Sequence, residues 1–170
     1  TQVATFGIAI TFDRGVAMIV ITLLIVHGLT ALGLMGALTH QVLGELSRAR
    51  PRLSGAGFAG RYTAVAPRPF TGVIVILYIA TILPGALIYP TYRLDVRPAF
   101  EDMGLAWAVG LFELKEHGGA IGLAALPLYL RLWRKDGAED TRWPRLAITL
   151  LLATIVWFDF IAGHLLNNLR

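Results

Sequence analysis

Apolar residues are grouped in four long stretches, at about 16–43, 70–89, 105–130 and 146–169. Each stretch is long enough to cross a hydrocarbon core of about 30 Å, which takes about 20 helical residues. Backbone polar groups find no partner in lipid, so each stretch is expected to be α-helical. The pattern predicts an all-α integral membrane protein, a four-helix bundle of up-down-up-down topology that forms a single domain over residues 1–170.

The charge of the connections predicts how these helices are oriented. The segments 44–69 and 131–145 are rich in arginine, whereas basic residues of the 90–104 segment are balanced by acids. Cytoplasmic loops of membrane proteins carry an excess of basic residues. We therefore expect 44–69 and 131–145 to be cytoplasmic loops and both termini to be extracytoplasmic, in a bacterial inner membrane.

The composition agrees with a membrane protein and excludes several kinds of chemistry. Apolar residues make up 56% of the 170 residues, and the mean hydropathy is +0.65. The chain has no cysteine, which excludes disulfides, thiolate nucleophiles, iron–sulfur clusters and c-type haem attachment. Its net charge of +4 comes from arginines of the two basic connections, which membrane topology explains better than nucleic-acid binding does. Lipid is the expected partner, and nucleic acid is not.

Histidines inside the predicted helices are the first candidate functional groups, because ionisable side chains are costly in hydrocarbon. His27 and His117 lie in the first and third helices, which occupy diagonal positions of such a bundle and run in the same direction. At 1.5 Å per residue, both lie roughly 17–18 Å below the outer boundary. Two imidazoles at one depth suit the two axial positions of a haem, so we predict that His27 and His117 ligate its iron. His164, near the outer end of the fourth helix, is a candidate ligand of a second haem.

Charged residues accompany His117 in the third helix. Lys115 needs a buried partner, and Asp159 of the fourth helix is the expected one. Together with Glu113 and Glu116 they form either an ion-pair network that fixes helix register or a set of groups that moves protons and tunes a cofactor. The spacing of Glu113, Glu116 and His117 also resembles half of a metal site in a helical bundle, although few carboxylates are available to complete it.

The 90–104 segment contributes two arginines to the candidate site. Guanidinium groups bind carboxylates bidentately, so Arg93 and Arg97 are candidates to contact haem propionates or an anionic quinone headgroup. The alternative is that they pair with Asp95 and Asp102 of the same segment.

Four spans with histidines on the first and third helices resemble the general layout of membrane b-type cytochromes. The histidine pair and this resemblance imply an electron-transfer subunit that holds haem b between spans 1 and 3 and works with other membrane redox subunits. A quinone is a further candidate cofactor. The alternative is a non-catalytic accessory subunit of a respiratory or photosynthetic membrane complex with a buried ion-pair network. A proton or ion translocator built on Glu113, Glu116 and Asp159 is the third hypothesis.

Overall fold

The computed structural model describes residues 14–49, 57–134 and 141–169, and within these ranges the chain is helical and has no strand. The described elements are α1 (Arg14–Ala49), α2 (Phe58–Ala64), α3 (Phe70–Thr91), a π-helical turn (Tyr92–Val96), α4 (Arg97–Asp102), α5 (Ala106–Arg134) and α6 (Arg142–Asn167).

Helix extends into the segments for which the sequence suggested only connections. α1 continues to Ala49, and α2 lies inside the 44–69 segment. The 90–104 segment is largely helical, because α3 runs through the π-helical turn directly into α4. Gly104 then has a φ of 70°, a conformation that glycine adopts readily, and the chain turns into α5.

Three segments of the described chain have the length and apolar character needed to cross a membrane: Gly15–Ser47, Phe70–Asp102 and Arg142–Asn167. α5 is less apolar, because Glu113, Lys115 and Glu116 interrupt its first half. Many large apolar side chains of the three segments are exposed on the protein, as expected for a surface in contact with lipid.

Polar contacts show which helix ends lie together. Gln41 of α1 bonds to Thr71 at the start of α3 and to Tyr129 near the end of α5. Glu45 of α1 forms an ion pair with Arg145 at the start of α6. We call this side of the molecule the basic end. The opposite side, where α1 begins and α6 ends, is the far end.

The main apolar core lies in the basic half of the molecule. All four long helices contribute to it, with these fully buried side chains at its centre: Leu38, Ile74, Tyr129 and Leu152. A smaller cluster lies at the far end, where the π-helical turn and α4 pack on α5 and α6 through Tyr92, Phe100, Ala108, Val109 and Leu166. α1 takes no part in this second cluster.

The first half of α1 is poorly packed. No residue between 15 and 32 is buried, and the first buried residue along the helix is Leu34. The exposed large apolar side chains of this half are Val16, Met18, Ile19, Ile21, Leu24, Ile25, Val26, Leu29 and Leu32. Within residues 14–49, 57–134 and 141–169, little therefore covers the first half of α1.

Candidate functional site

His27 points from α1 into the bundle. It is half-buried and shares a helical face with the buried residues Leu34, Leu38 and Glu45. Its Nδ1 lies 2.8 Å from the carbonyl oxygen of Thr81 on α3. Because a carbonyl only accepts, Nδ1 donates the hydrogen, and Nε2 of the neutral ring keeps a free lone pair.

The sequence of α3 makes room for this ring. Pro84 has no amide hydrogen for the carbonyl of Ala80, so the helical hydrogen bonds are interrupted one residue before Thr81. A Cβ atom at Gly85 would lie 3.2 Å from Cε1 of His27, which is tighter than ordinary contact. The turn from Thr81 to Gly85 therefore both holds Nδ1 and allows the imidazole to approach the backbone.

His117 points in the opposite direction, away from the bundle. Its side chain is exposed, and its Nδ1 lies 2.6 Å from the carbonyl oxygen of Glu113, one turn earlier on α5. Gly119 faces the interior, where its Cβ position would lie 3.4 Å from Ile82 of α3 and 3.6 Å from the carboxylate of Asp159 on α6. At 3.6 residues per turn, His117 lies about 200° around the helix from Gly119.

His27 and His117 nevertheless lie at similar levels. His27 contacts the Thr81–Gly85 turn of α3, and Ile82 of that turn lies beside Gly119 of α5. The two histidines are thus level to within about one helical turn. The structure does not bring their rings together, because the body of α5 lies between them.

His164 lies on the side of α6 that faces α1. Trp157, seven residues earlier, donates from Nε1 to Oγ1 of Thr39 on α1 at 3.0 Å. Seven residues are close to two helical turns, so the side chains of Trp157 and His164 point in similar directions. The imidazole of His164 is exposed and makes no hydrogen bond within the described part of the chain, while its backbone carbonyl accepts from Asn168 at 2.7 Å.

Asp159 faces α5 from inside the bundle. Its Oδ1 would lie 3.3 Å from a Cβ atom at Gly118, and this oxygen is buried without a hydrogen-bond partner among the described residues. A glycine at this position of α5 therefore gives the carboxylate its space.

Lys115 lies one turn from Asp159, toward the far end. Its Cε would lie 3.5 Å from a Cβ atom at Gly163 of α6, and its ammonium lies 5.4 Å from the centre of the Phe112 ring. Lys115 and Asp159 interact electrostatically, but they form no ion pair within 4 Å in the part of the chain that the structure describes. The interior of the far half thus contains two charges that are not in direct contact.

The arginines of the π-helical turn and α4 differ in their contacts. Arg97 donates to Glu101 at 2.7 Å and to Glu113 at 3.0 Å, so its partners are these two glutamates and not Asp95 or Asp102. Arg93 is exposed and interacts electrostatically with the half-buried Glu116.

The sequence analysis did not predict a polar network that lies at the basic end. The Gln41 amide donates at 3.3 Å to the Pro67 carbonyl and to the Thr71 hydroxyl, and accepts from the Tyr129 hydroxyl at 2.7 Å. Gln41 is fully buried. These bonds join α1 to α3 and α5.

The second part of this network joins α1 to α6 and α5. Arg145 forms a 3.0 Å ion pair with Glu45, which is only 1% exposed. The Arg145 guanidinium lies 5.1 Å from the centre of the Trp133 ring, and Trp133 donates to the Thr149 hydroxyl at 3.0 Å. The signal for this network was the helical phase, because Glu45 continues the same face of α1 as His27.

The donor groups of the site suit some cofactors better than others. Within residues 14–49, 57–134 and 141–169, no three side chains of His, Asp or Glu come together as metal ligands. A bare metal ion takes three or four protein ligands. A haem brings its own ring of ligands and needs only one or two imidazoles from the protein.

Comparison with known proteins gives no family: no family model matches the chain, and no curated protein or solved structure matches it.

Proposed function

We propose that the chain is an integral membrane electron-transfer subunit that holds a haem b through His27. Three apolar helical segments of the described chain that are long enough to cross a membrane support the membrane part of this proposal. α3 runs from the basic end to the far end, whereas α6 starts again at the basic end. α5 lies between them in the sequence and ends near Gln41 at the basic end, so we propose it as a fourth span in spite of its charges.

The observation that carries the haem proposal is the bonding of the His27 ring. A ligating histidine almost always donates its second ring hydrogen to a carbonyl or carboxylate, which orients the ring and increases its basicity. The bond from Nδ1 of His27 to Thr81 provides this support, and Nε2 has no hydrogen-bond partner among the described residues.

The surroundings of His27 suit a redox centre. Lys115 interacts electrostatically with His27 and lies near Asp159. Nearby charge and a buried setting are the means by which a protein adjusts haem potential, so these two residues would tune the haem. The part of the chain that the structure describes is almost entirely helix, so other membrane redox subunits or a quinone would exchange electrons with it.

An optical spectrum tests this proposal. The full chain is purified in detergent after expression with haem, and a reduced-minus-oxidised spectrum is recorded for wild type, His27→Ala and Thr22→Ala. We expect the α band of a b-type haem in wild type and in Thr22→Ala, an exposed control on the same half-helix. His27→Ala should lose the haem. A wild-type spectrum without haem bands, or full haem retention in His27→Ala, would overturn the proposal.

A cofactor-free accessory subunit is the second candidate, and the network at the basic end favours it. Gln41, Glu45 and Arg145 connect all four long helices through buried contacts, which is what a structural subunit needs. In that case Lys115→Met or Asp159→Asn would disturb assembly with neighbouring subunits, whereas His27→Ala would not. Quantifying the proteins that copurify with each variant from the native membrane distinguishes the two functions.

A further inference from the structure

We infer that two copies of this chain associate in the membrane through the outward side of α5. This inference rests on the proposed function only in that α5 is taken as a fourth span, and it does not depend on the haem. It gives a role to the exposed His117, which the proposed haem site does not use.

The outward side of α5 carries a line of residues suited to packing against another helix. These residues are exposed and recur at alternating spacings of four and three positions, and we call them the outer seam: Glu113, His117, Ala120, Ala124, Pro127 and Arg131. At 3.6 residues per turn they form one narrow stripe along about 27 Å of the helix. An alternation of three and four residues is the spacing at which one helix packs lengthwise along another.

The outer seam differs from the lipid-facing surfaces of the other spans, because it holds no large apolar side chain. On α3 and α6 the exposed residues include Ile76, Leu83, Leu150 and Ile161. α5 is also the one long helix that is not among the three membrane-spanning candidates of the described chain. Contact with lipid alone does not account for such a surface. Contact with a helix does, since small residues such as alanine let helices approach closely in a membrane.

His117 indicates that the outer seam meets protein. It lies 11 residues, or about 17 Å, along α5 from Ala106, where the helix begins, and its side chain is exposed. Ionisable side chains at that depth almost always face protein or a water-filled cavity, because hydrocarbon offers them no partner. Nδ1 of the ring donates to the carbonyl oxygen of Glu113, and Nε2 has no hydrogen-bond partner among the described residues.

A second copy of the chain supplies a partner for this ring. Two copies with the same orientation in a membrane are related by a two-fold axis along the membrane normal, so each residue near the axis meets its own counterpart. Imidazole donates or accepts through Nε2 according to its tautomer. One His117 ring that moves its hydrogen to Nε2 can therefore donate to the other ring. The Glu113 carbonyl that it leaves still accepts the helical bond from the His117 amide.

The charges at the outer seam also suit a second copy. Arg97 lies 3.0 Å from Glu113, and both side chains are partly exposed. The two-fold axis places a second such pair beside the first, so each carboxylate lies near guanidinium groups of both copies and the four charges sum to zero. A surface that carries an acid and a base side by side is complementary to itself, whereas a partner of a single charge sign would match only half of it.

Cysteine cross-linking tests the inference, because the chain has no cysteine of its own. Ala120→Cys and Ala124→Cys are each reconstituted into dilute vesicles of phosphatidylethanolamine and phosphatidylglycerol and treated with a short thiol cross-linker. The matched control is Leu83→Cys, exposed on α3 beside Ile82 and thus at the level of Gly119. We expect severalfold more cross-linked dimer from the two α5 variants than from the control.

Substitutions that disturb the outer seam give an independent test. Counting the photobleaching steps of labelled protein in the same vesicles measures the dimer fraction, and circular dichroism checks that the helices are retained. Ala120→Trp should give mostly monomer, and His117→Leu should reduce the dimer fraction severalfold. The controls Leu83→Trp and His164→Leu, both at exposed positions outside α5, should leave the dimer unchanged.

Several outcomes would overturn the inference while leaving the haem proposal intact. These are equal cross-linking at Ala120 and Leu83, a wild-type protein that is monomeric in the vesicles, and a dimer that persists in Ala120→Trp. A monomeric chain that cross-links through Ala120→Cys to a different protein in the native membrane would likewise overturn it. Conversely, a dimeric wild-type protein without haem would overturn the haem proposal alone.

Discussion

The basic half and the far half of this molecule differ in how their polar side chains connect the helices. In the basic half, Gln41 and Glu45 are buried and bonded to partners on three other helices, although buried nitrogen atoms of His40, Arg142 and Arg145 have no hydrogen-bond partner among the described residues. In the far half, Asp159 has a buried oxygen without a partner among the described residues, and the exposed imidazole of His164 makes no hydrogen bond there. The basic half therefore has the interhelical bonds of a scaffold, whereas the far half is where we propose that a ligand binds.

The two halves also differ in how many of their apolar side chains are buried. The main core lies in the basic half, whereas the first half of α1 has no buried residue. Regions with few buried contacts open at low free energy, and binding sites are commonly drawn from them. Buried contacts are concentrated in the basic half, whereas the proposed haem ligand His27 lies in the far half. Substitutions in the basic half should therefore lower the unfolding free energy more than substitutions in the far half do.

The largest effect is expected from breaking the buried ion pair. Glu45→Ala leaves Arg145 largely buried without its carboxylate partner, which should cost about 3–5 kcal/mol of unfolding free energy. Thermal or denaturant unfolding in detergent measures this loss. The control is Glu101→Ala, which removes an exposed partner of Arg97 and should cost about 1 kcal/mol or less. Equal losses in the two variants would show that the halves do not differ as described.

A close contact in the basic half should give the next largest effect. A methyl group at Gly122 would overlap the Tyr78 hydroxyl, which is held by its bond to the Gly119 carbonyl. Gly122→Ala should therefore lower the unfolding free energy by about 1–3 kcal/mol. Gly110→Ala on the same helix meets open space and should be neutral or slightly stabilising, by at most about 1 kcal/mol. A stable Gly122→Ala protein would contradict the packing of α3 on α5.

The smallest effect is expected at the far end. Glu113→Gln weakens a 3.0 Å ion pair with Arg97 whose partners are both partly exposed. The unfolding free energy should fall by no more than about 1 kcal/mol, since exposed pairs contribute little. Unfolding under the same conditions as for Glu45→Ala measures it. A loss of unfolding free energy as large as that of Glu45→Ala would mean that the far half stabilises the fold as much as the basic half does.

The sequence was sufficient to predict the four long helices, but not the short helices α2 and α4 or the rotation of the long ones. Apolar runs of sufficient length identify the spans, because lipid leaves the backbone no alternative to helix. Residue counts also predicted similar depths for His27 and His117, and the contacts around Ile82 bring the two residues to within about one helical turn of each other along the helices. Which side of α5 turns inward depends on packing, and the close approach of α3 and α6 to Gly119 directs His117 outward.

Part of this rotation was nevertheless visible in the sequence. Gly119, Gly122, Leu126, Tyr129 and Trp133 recur at helical spacing, and these buried residues define the inner side of α5. His117 falls outside that stripe. The network around Glu45 was harder to anticipate, because Glu45 lies beyond the apolar run and its helical phase becomes informative only if α1 continues past that run.

The central claim, that a haem held by His27 orders the far half while the basic half is already packed without it, can be tested by spin labelling. The chain has no cysteine, so labels can be attached to introduced pairs without background. One doubly labelled variant carries Leu24→Cys and Ile161→Cys, both exposed in the far half, and the other carries Leu43→Cys and Leu150→Cys, both exposed in the basic half. Pulsed dipolar spectroscopy then gives the distribution of distances for each pair before and after haem is added. We predict a broad far-half distribution that narrows with haem and a basic-half distribution that is narrow throughout, and equal widths that do not respond to haem would contradict the claim.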